Sequence, residues 1–179
     1  MSGMSDAYVI RPVRVDDWPA VKELRLAALQ DPVAPLAFLE TYEQAETHPD
    51  DFWKDRAARC AEGGLNRQFV AEGPRGDWAG SVTVLVEEPG TEDFLGERVA
   101  QRQAHLVGVF VREGYRGGRV APELFRAAVG WARAREGVSR VRLFVHEDNA
   151  RAQGFYRKAG FRRTRVVGDE YEMELRPSA

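Results

Sequence analysis

The stretch from Ala104 to Phe125 constrains the fold most. His105 to Val111 is rich in β-branched and aromatic residues, which predicts a strand. Arg112 to Gly118 is a polar turn that ends in two glycines, and from Arg119 onward the apolar residues recur at helical spacing. The first amides of such a helix are unpaired and carry partial positive charge that suits an anion. The pattern indicates either a phosphate-binding turn or an ordinary strand-to-helix connection with solvated arginines.

Composition and charge narrow the class of protein. A chain of 179 residues suits a single domain, which we expect to span residues 8–179 after a flexible tail of residues 1–7. The formal net charge of -2 gives no electrostatic footprint for nucleic acid. One cysteine, Cys60, excludes an internal disulfide and a cysteine-rich zinc site, and the three histidines lack the spacing of metal ligands.

No stretch approaches the roughly 20 apolar residues that a membrane span needs, and the first residues lack the apolar run of a signal peptide. We therefore expect a cytoplasmic protein, monomeric or homodimeric, with no metal, no membrane contact and no nucleic-acid partner.

The predicted elements follow the order β-α-α-α-β-β-β-α-β-α-β-β. Within it, Leu36 to Glu46 is expected to form one short helix, and Gly168-Asp169 predicts a hairpin turn between the last two strands. The order indicates an α/β (α+β) fold with a mixed central sheet of about seven strands, flanked by about four to five helices. A doubly wound dinucleotide fold does not fit, because no G-x-G-x-x-G follows the first strand.

A second stretch, from Val145 to Phe161, carries polar, aromatic and glycine residues at a fixed spacing. These residues are Asn149, Ala152, Tyr156 and the pair Gly160-Phe161. Together with the turn Arg116-Gly117-Gly118-Arg119-Val120-Ala121, they resemble the GCN5-related N-acetyltransferase (GNAT) family. That family writes the turn as Arg/Gln-x-x-Gly-x-Gly/Ala, so Arg119 stands where glycine is usual and Gly118 comes one place early.

The resemblance implies a GNAT-like mixed sheet in which the strand ending at Val111 and the strand Arg140 to Val145 splay apart, with acetyl-CoA in the gap. It implies direct transfer of an acetyl group from acetyl-CoA to a primary amine, on a small molecule or on a peptide or protein. The alternative is a catalytically silent module that binds acyl-CoA and serves regulation, and Arg119 in place of glycine is what favours it.

The same resemblance implies which residues bind the coenzyme. The backbone of Val109, Phe110 and Val111 is expected to pair with the pantetheine arm, although Val109 and Val111 also suit a plain core. Gly108 before them indicates either a β-bulge or a small residue under a helix. The turn residues Arg116, Gly117, Gly118, Arg119, Val120 and Ala121 are expected to hold the diphosphate, with Arg119 either on a phosphate or in water. Asn149 is expected to cap a helix and to hold the coenzyme arm.

Tyr156 and His105 are the catalytic candidates. A tyrosine hydroxyl, with an ordinary pKa of ~10, can donate a proton to a departing thiolate whose thiol has a pKa of ~8.5. The alternative for Tyr156 is a core aromatic whose hydroxyl has a hydrogen-bond partner. The resemblance also implies that Tyr156 contacts the coenzyme. His105 stands where relatives often carry glutamate and is expected to take the proton of the acceptor amine, directly or through water, unless it is a strand-end histidine. Weaker candidates for that role are Glu87, Glu113 and Glu147.

The acceptor wall is predicted from aromatic and acidic residues between the first helix and the second strand. Phe38 and Tyr42 are the expected substrate-binding residues, with Trp53 as a further candidate, although an aromatic stripe at helical spacing also suits a core. Glu40, Glu43 and Glu46 are expected either to attract a cationic amine or to form a solvated face.

Overall fold

A computed structural model describes residues 8–176, so the predicted tail of residues 1–7 lies outside the described residues. One seven-stranded sheet runs through these residues in the order β1-β2-β3-β4-β5-β7-β6. Its strands are β1 Val9–Pro12, β2 Arg67–Glu72, β3 Trp78–Glu87, β4 Gln103–Val111, β5 Val141–His146, β6 Phe161–Val167 and β7 Glu170–Leu175. Neighbouring strands are antiparallel except β4 and β5, which are parallel, so the predicted mixed sheet is confirmed.

Six α-helices cover the sheet. They are α1 Trp18–Leu29, α2 Ala34–Ala37, α3 Tyr42–Glu46, α4 Asp50–Arg59, α5 Val120–Arg133 and α6 Ala150–Lys158. Short 3-10 turns, Val15–Asp17 and Glu113–Tyr115, precede α1 and α5. In the part of the chain that the structure describes, none of these helices is long and apolar enough to cross a membrane.

The helix expected over Leu36 to Glu46 is instead two short helices. Phe38 leaves α2 in an extended conformation, with φ -135° and ψ 145°. Thr41 then starts α3, because its hydroxyl accepts from the Gln44 amide (3.2 Å) while the Gln44 side chain accepts from the Thr41 amide (2.9 Å). Such a capping box begins a helix and breaks a continuous one, and it accounts for the larger number of helices.

Two apolar cores lie on opposite faces of the sheet. Under α5 and α6, Leu124, Phe125, Leu143 and Phe161 are almost fully buried. Under α1 and α4, the second core includes Trp53 at 0% exposure. Burying side chains of this size contributes roughly 1.5–3 kcal/mol each, so the two cores hold the sheet from both sides.

Gly108 bends β4 between the two cores. Its φ is +63°, a conformation that glycine adopts readily, and the pairing of β4 with β3 skips a residue there. Before this bulge Leu106 packs into the α5 core, whereas after it Val109 and Val111 do so and Phe110 turns to the other core. The bulge expected at Gly108 is therefore present, and it reverses which residues of β4 face each side.

The parallel strands β4 and β5 separate early. They pair only at Ala104 with Val141 and at His105 with Arg142, which leaves the rest of β4 without a partner on that edge. The separation opens a gap in the middle of the sheet, as the sequence resemblance implies.

Candidate active site

The exposed edge of β4 presents backbone groups to this gap. Arg112 donates its amide to the Ala79 carbonyl on β3, at 2.8 Å. Because successive amides in a strand point to opposite sides, those of Val111 and Val109 point away from β3 and into the gap. The Val111 carbonyl shows the same direction, since it accepts from Arg116 Nε at 2.8 Å. The gap is therefore lined by main-chain donors and acceptors that suit an extended amide-containing ligand.

The turn after β4 leads into α5 with a row of unpaired amides. Gly117 has φ +80°, and a Cβ there would meet no atom within 4 Å. Within residues 8–176, no hydrogen bond is found from the amides of Gly117, Gly118, Val120 or Ala121. The 14-residue helix α5 adds the positive end of its dipole. Open space, unpaired donors and a helix N-terminus together suit a phosphate group.

The two arginines of the turn have different surroundings. Arg116 is held by the Val111 carbonyl and by an ion pair with Asp31 at the end of α1. Burial works to raise the pKa of Asp31, but the hydrogen bonds from Arg116 and from the Val33 amide lower it overall. The Arg119 side chain is 70% exposed and bonds Glu123 at 3.1 Å. Arg116 thus fixes the turn against α1, while Arg119 lies along the outside of α5.

Tyr156 lies where two cavities meet. A gap cavity of about 240 Å³ is lined by Phe38, Val109, Val111, Gly117, Asn149 and Tyr156, among others. An acidic pocket of about 600 Å³ on the other side of the gap is lined by Glu87, Phe94, His105, Phe144, Tyr156 and Glu170, among others. Of the residues predicted from the sequence, Phe38, Val109, Asn149 and Tyr156 border both.

The Tyr156 ring is buried and its hydroxyl is unpaired. The residue is 8% exposed and stacks on Phe125 at 5.6 Å between centroids. We find no hydrogen bond from its hydroxyl to any of residues 8–176. Burial, and secondarily the charge of Glu170, raise the pKa of Tyr156 well above its ordinary value. The hydroxyl therefore remains protonated at neutral pH and is available as a donor.

Asn149 caps α6, as expected. Its Oδ1 accepts from the Ala152 amide at 3.3 Å. The preceding turn is locked by Gln153, whose Nε2 donates to the carbonyls of His146 (3.0 Å) and Glu147 (2.9 Å). Sequence reasoning did not identify Gln153, although a buried glutamine one turn into a helix can bond the incoming strand. These bonds fix the start of α6 and so the direction in which Tyr156 projects.

His105 lies in the wall of the acidic pocket, at 5% exposure. Its ring is 5.1 Å from that of Phe94 and 5.4 Å from that of Phe144. Its Nδ1 is 3.8 Å from Glu87 Oε2, on the neighbouring strand β3. Burial works to raise the pKa of Glu87, but the nearby His105, the hydrogen bond from Gln103 and the charge of Arg142 lower it overall.

A buried arginine, Arg142, bonds three carboxylates next to the acidic pocket. Arg142 is 0% exposed and donates to Glu172 (2.8 Å), Glu87 (3.0 Å) and Asp93 (2.8 Å). Asp93 belongs to the loop between β3 and β4, so the ion pairs hold that loop against β5 and β7. The sequence carries no local signal for this cluster, because its members lie up to 85 positions apart (87 to 172).

Some predicted acceptor residues lie elsewhere. Trp53 was a wrong candidate, because it is fully buried in the α1–α4 core. Tyr42 is not among the residues that line either cavity, and its hydroxyl interacts instead with Glu46 and Gln30. Glu40 does line the acidic pocket, but it is paired with Arg25 (3.4 Å) and His48 (2.8 Å).

The carboxylates considered for proton transfer differ in whether they border the acidic pocket. Glu87 borders the acidic pocket, whereas Glu113 and Glu147 are exposed and do not. Glu170, which was not singled out from the sequence, does border it. In residues 8–176 no group of three or more histidine, cysteine, aspartate or glutamate side chains is arranged to hold a metal ion.

A protein-family model and several solved structures resemble this chain. Residues 20–161 match the family model described as the acetyltransferase (GNAT) family. A search of curated protein sequences finds no match. Among solved structures, a PaiA N-acetyltransferase from Thermoplasma acidophilum in complex with coenzyme A has a TM-score of 0.75 at 18% identity, covering 97% of this chain and 100% of that one.

Two further structures share the fold. The GNAT domain of PAT from S. lividans has a TM-score of 0.71 at 18% identity and covers 94% of this chain and 89% of that one. NAA60 from Arabidopsis thaliana, in complex with acetyl-CoA, has a TM-score of 0.68 at 16% identity and covers 94% and 98%. With a family model that spans most of its length, this chain belongs to the GNAT family of acetyltransferases.

Proposed function

We propose that the protein transfers the acetyl group of acetyl-CoA directly to a primary amine. The observation that carries the proposal is the position of Tyr156 at the junction of the gap cavity and the acidic pocket, where its side chain is buried, its pKa is raised and its hydroxyl makes no hydrogen bond to any of residues 8–176. A leaving thiolate in the gap would reach a proton donor there, while the amine approaches from the acidic side.

The gap cavity suits acetyl-CoA. The amides and carbonyls of Val109 and Val111 would pair with the amide-containing pantetheine arm, with Phe110 between them facing the other core. The amides from Gly117 to Ala121, which include those of Gly118, Arg119 and Val120, would receive the diphosphate. Asn149 would hold the arm from the other wall, and Arg116 would keep the turn in place.

Arg119 does not disturb this arrangement. Its φ of -91° and ψ of -11° are ordinary for a residue with a side chain, and Gly117 supplies the positive φ that the turn requires. The glycine usual at position 119 is therefore dispensable here, which removes the main argument for a catalytically silent module.

The transfer itself would need no covalent enzyme intermediate. A neutral amine attacks the thioester carbonyl, a C–N bond forms, the C–S bond breaks, and the thiolate takes the proton of Tyr156. Cys60 is buried at the end of α4, and burial raises the pKa of its thiol, so it is a poor nucleophile. It also does not line either cavity.

For the acceptor side, Phe38 is proposed as a wall residue because it borders both cavities. Tyr42 stays a prediction that the lining of the pocket does not support. The proposal that His105 takes the amine proton also stays a prediction. Its ring reaches the acidic pocket, but its Nδ1 faces Glu87.

Thermal unfolding with coenzymes tests the coenzyme site. A ligand that binds only the folded state at 100 times its Kd stabilises by about 2.7 kcal/mol, so CoA should raise the melting temperature by several degrees. Pantetheine, which lacks the diphosphate, should raise it much less. No shift with saturating CoA would contradict the proposal. Thiol release from acetyl-CoA on addition of primary amines then distinguishes an enzyme from a silent module.

A further inference from the structure

Glu170 lies beside the reacting part of the gap. It is the first residue of β7 and pairs with His146, the last residue of β5. Since β5 runs parallel to β4 from the Ala104–Val141 pair, the fifth residue beyond that pair on each strand is His146 on β5 and Val109 on β4. Glu170 is thus at the height of the β4 segment that borders both cavities.

The face of the strand directs Glu170 to the acidic pocket. Side chains alternate along β7, so Glu170 shares a face with Glu172, which bonds Arg142, and the Arg142 guanidinium lies over the ring of Phe144 in the pocket wall. Met173 occupies the opposite face, in the α5 core. Glu170 accordingly borders the acidic pocket together with Tyr156.

Two of the pocket carboxylates, Glu170 and the exposed Glu92, have no side-chain partner within residues 8–176, and of these two Glu170 is the one close to Tyr156. Asp169 pairs with His146 at 3.1 Å. Glu87 and Asp93 are bound by Arg142, and Glu40 is bound by Arg25 and His48. For Glu170, which is partly buried, we find no hydrogen bond or ion pair of its side chain with any of residues 8–176. The carboxylate is therefore available for a cation that enters from solution.

A second group in the same pocket also lacks a partner. Tyr156 is 8% exposed, its hydroxyl makes no hydrogen bond with any of residues 8–176, and it is close enough to Glu170 for that carboxylate to raise its pKa. A donor and an acceptor that border the same pocket can both bond one ligand that enters it. A group that offers N–H bonds to Glu170 and leaves a thiolate beside Tyr156 would satisfy both.

We propose that Glu170 binds the ammonium group of the acceptor and takes its proton before the attack, which rests on the proposed acetyl transfer. The acceptor is accordingly a primary amine that carries a positive charge in water. Phe38, Phe94 and Phe144, which line the same pocket, favour an apolar carbon chain or ring next to the amine.

The protons balance in this scheme. The ammonium gives one proton to the Glu170 carboxylate, and the neutral amine forms the C–N bond. The C–S bond breaks, Tyr156 gives its proton to the sulfur, and the second proton lost by the nitrogen restores Tyr156. Glu170 then releases its proton to water, so each turnover yields one acetylated amine, one CoA thiol and one proton.

His105 is less suited to direct contact. It lies four residues before Val109 on β4, which corresponds to about 13 Å along an extended strand. Its ring is enclosed by Phe94 and Phe144, and Nδ1 faces Glu87 at 3.8 Å. A histidine at this position shapes the pocket floor, while Glu170 reaches the amine.

The proposal gives a definite pH dependence. Burial, and to a smaller extent Asp169, raise the pKa of Glu170, while the His146 charge works against the rise. Tyr156 on α6 also faces it and stays protonated in this range. Because the base form grows as pH rises through the raised pKa, kcat/KM for a cationic amine should rise with pH in the same range.

The experiment compares two kinds of acceptor in matched variants. Thiol release from acetyl-CoA is measured against pH with benzylamine, which is an ammonium ion at neutral pH, and with aniline, which is uncharged there. The variants are Glu170→Gln, which keeps the shape and removes the base, His105→Ala, and Glu62→Gln, which removes an exposed charge from the turn after α4. Binding of CoA to each variant is measured by calorimetry.

We expect Glu170→Gln to lower kcat/KM for benzylamine by roughly 10²–10⁴-fold and to remove the rise with pH, as loss of a general base does. With aniline, which has no proton to lose before the attack, the same variant should lose less than roughly 10-fold. Binding of CoA should not change, and Glu62→Gln should behave as the unaltered protein. His105→Ala should keep the rise with pH.

Two results would overturn the assignment. If His105→Ala removes the rise with pH and Glu170→Gln keeps it, the histidine is the base. If Glu170→Gln lowers the rate equally with both amines, its role is structural. If the unaltered protein binds CoA but acetylates no amine in a wider panel with propylamine, 1,5-diaminopentane and lysinamide, the proposed function fails instead, and the Glu170 assignment falls with it.

Discussion

The proposed coenzyme side and the proposed acceptor side of the cleft are held by different kinds of interaction. On the coenzyme side, one continuous stretch from Val109 to Ala121 offers backbone amides and a glycine turn. On the acceptor side, carboxylates from β3, β7 and the loop before β4 surround the buried Arg142. A main-chain site depends on local conformation, whereas a side-chain cluster depends on distant elements meeting correctly.

This difference determines what each side tolerates. An amide donor is present whatever the side chain, and Arg119 has backbone angles, φ -91° and ψ -11°, that a residue with a side chain adopts without strain. A buried ion cluster has no such freedom, because removing one member leaves the others charged and unpaired. The coenzyme side therefore suits recognition shared across a family, and the acceptor side suits a specificity peculiar to this chain.

The strongest test of the main-chain side is Gly117→Asp. Residue 117 has φ +80°, which strains any residue with a Cβ, and a carboxylate would repel the diphosphate. We expect CoA to give no thermal shift with this variant, while the melting temperature without ligand falls by a few degrees.

Gly117→Ala separates the two causes. It adds the backbone strain, on the order of 1 kcal/mol, without the charge, and should weaken CoA binding by less than roughly 10-fold. If both variants bind CoA as the unaltered protein does, the turn is not the diphosphate site.

Tyr156→Phe tests the junction between the two sides. The ring contacts with Phe125 remain, and only the hydroxyl is lost. We expect kcat to fall by roughly 10²–10⁴-fold with the CoA affinity unchanged, since in the proposed mechanism the hydroxyl acts on the leaving group alone. A loss of CoA affinity with kcat preserved would instead assign Tyr156 to coenzyme packing.

The same comparison explains what the sequence could predict. The strand, glycine turn, helix and the Asn149 cap are local patterns, and the structure has them at the expected places. The Thr41–Gln44 capping box was also present as a sequence pattern. The helical spacing of residues from Leu36 to Glu46 instead favoured one continuous helix. For Trp53 the sequence left both a pocket wall and a core position open, because helical spacing alone does not distinguish the two, and the structure has it in the core.

The acceptor side was not predictable for a different reason. Whether Glu170 or Glu147 borders the pocket depends on the pairing of β5 with β7, and no local pattern encodes that register. From the sequence, Arg142 is an ordinary polar residue of a strand. Its role depends on Glu87, Asp93 and Glu172, which contact it only in the folded protein.

Arg142→Met tests the side-chain cluster. The variant leaves three carboxylates without their buried cation, which should lower the free energy of unfolding by about 3–5 kcal/mol. The melting temperature should then fall by roughly 6–20 °C. Arg140→Met is the matched control, because Arg140 is partly exposed and pairs with Glu174 at the rim. We expect its effect to be below roughly 1 kcal/mol.

The pH dependence of this deficit follows from the carboxylates. Burial works to raise the pKa of Glu87, Asp93 and Glu172. Bonds and charges, including those of Arg142, nevertheless lower the pKa of all three overall in the folded protein. A lowered folded-state pKa stabilises above the unfolded pKa of ~4, and this contribution is lost as pH falls through the folded value. The difference between Arg142→Met and the unaltered protein should therefore be largest at neutral pH and shrink toward pH ~4. A constant difference would mean that packing, and not charge, holds the cluster.

The smallest expected effect on stability concerns two carboxylates of β7, Glu170 and Glu172. Burial raises the pKa of Glu170, whereas Glu172, despite its burial, has a lowered pKa because Arg142 and Thr164 bond it. A carboxyl group with a raised folded-state pKa lowers the stability of the fold as pH rises through that pKa. Glu170→Gln removes this effect, so at pH ~8 its melting temperature should exceed that of the unaltered protein by up to roughly 2–4 °C. Near pH ~4 the two melting temperatures should be equal.

Glu172→Gln should show the opposite sign at pH ~8, since it removes a partner of Arg142. Melting curves of both variants at the two pH values check this. Should Glu170→Gln also be destabilised at high pH, the Glu170 carboxylate would have a stabilising partner in the folded protein and would not be available to an acceptor. A gain in stability from removing Glu170, together with a loss of transfer to cationic amines, would show that the carboxylate is kept at this position at a cost to the fold.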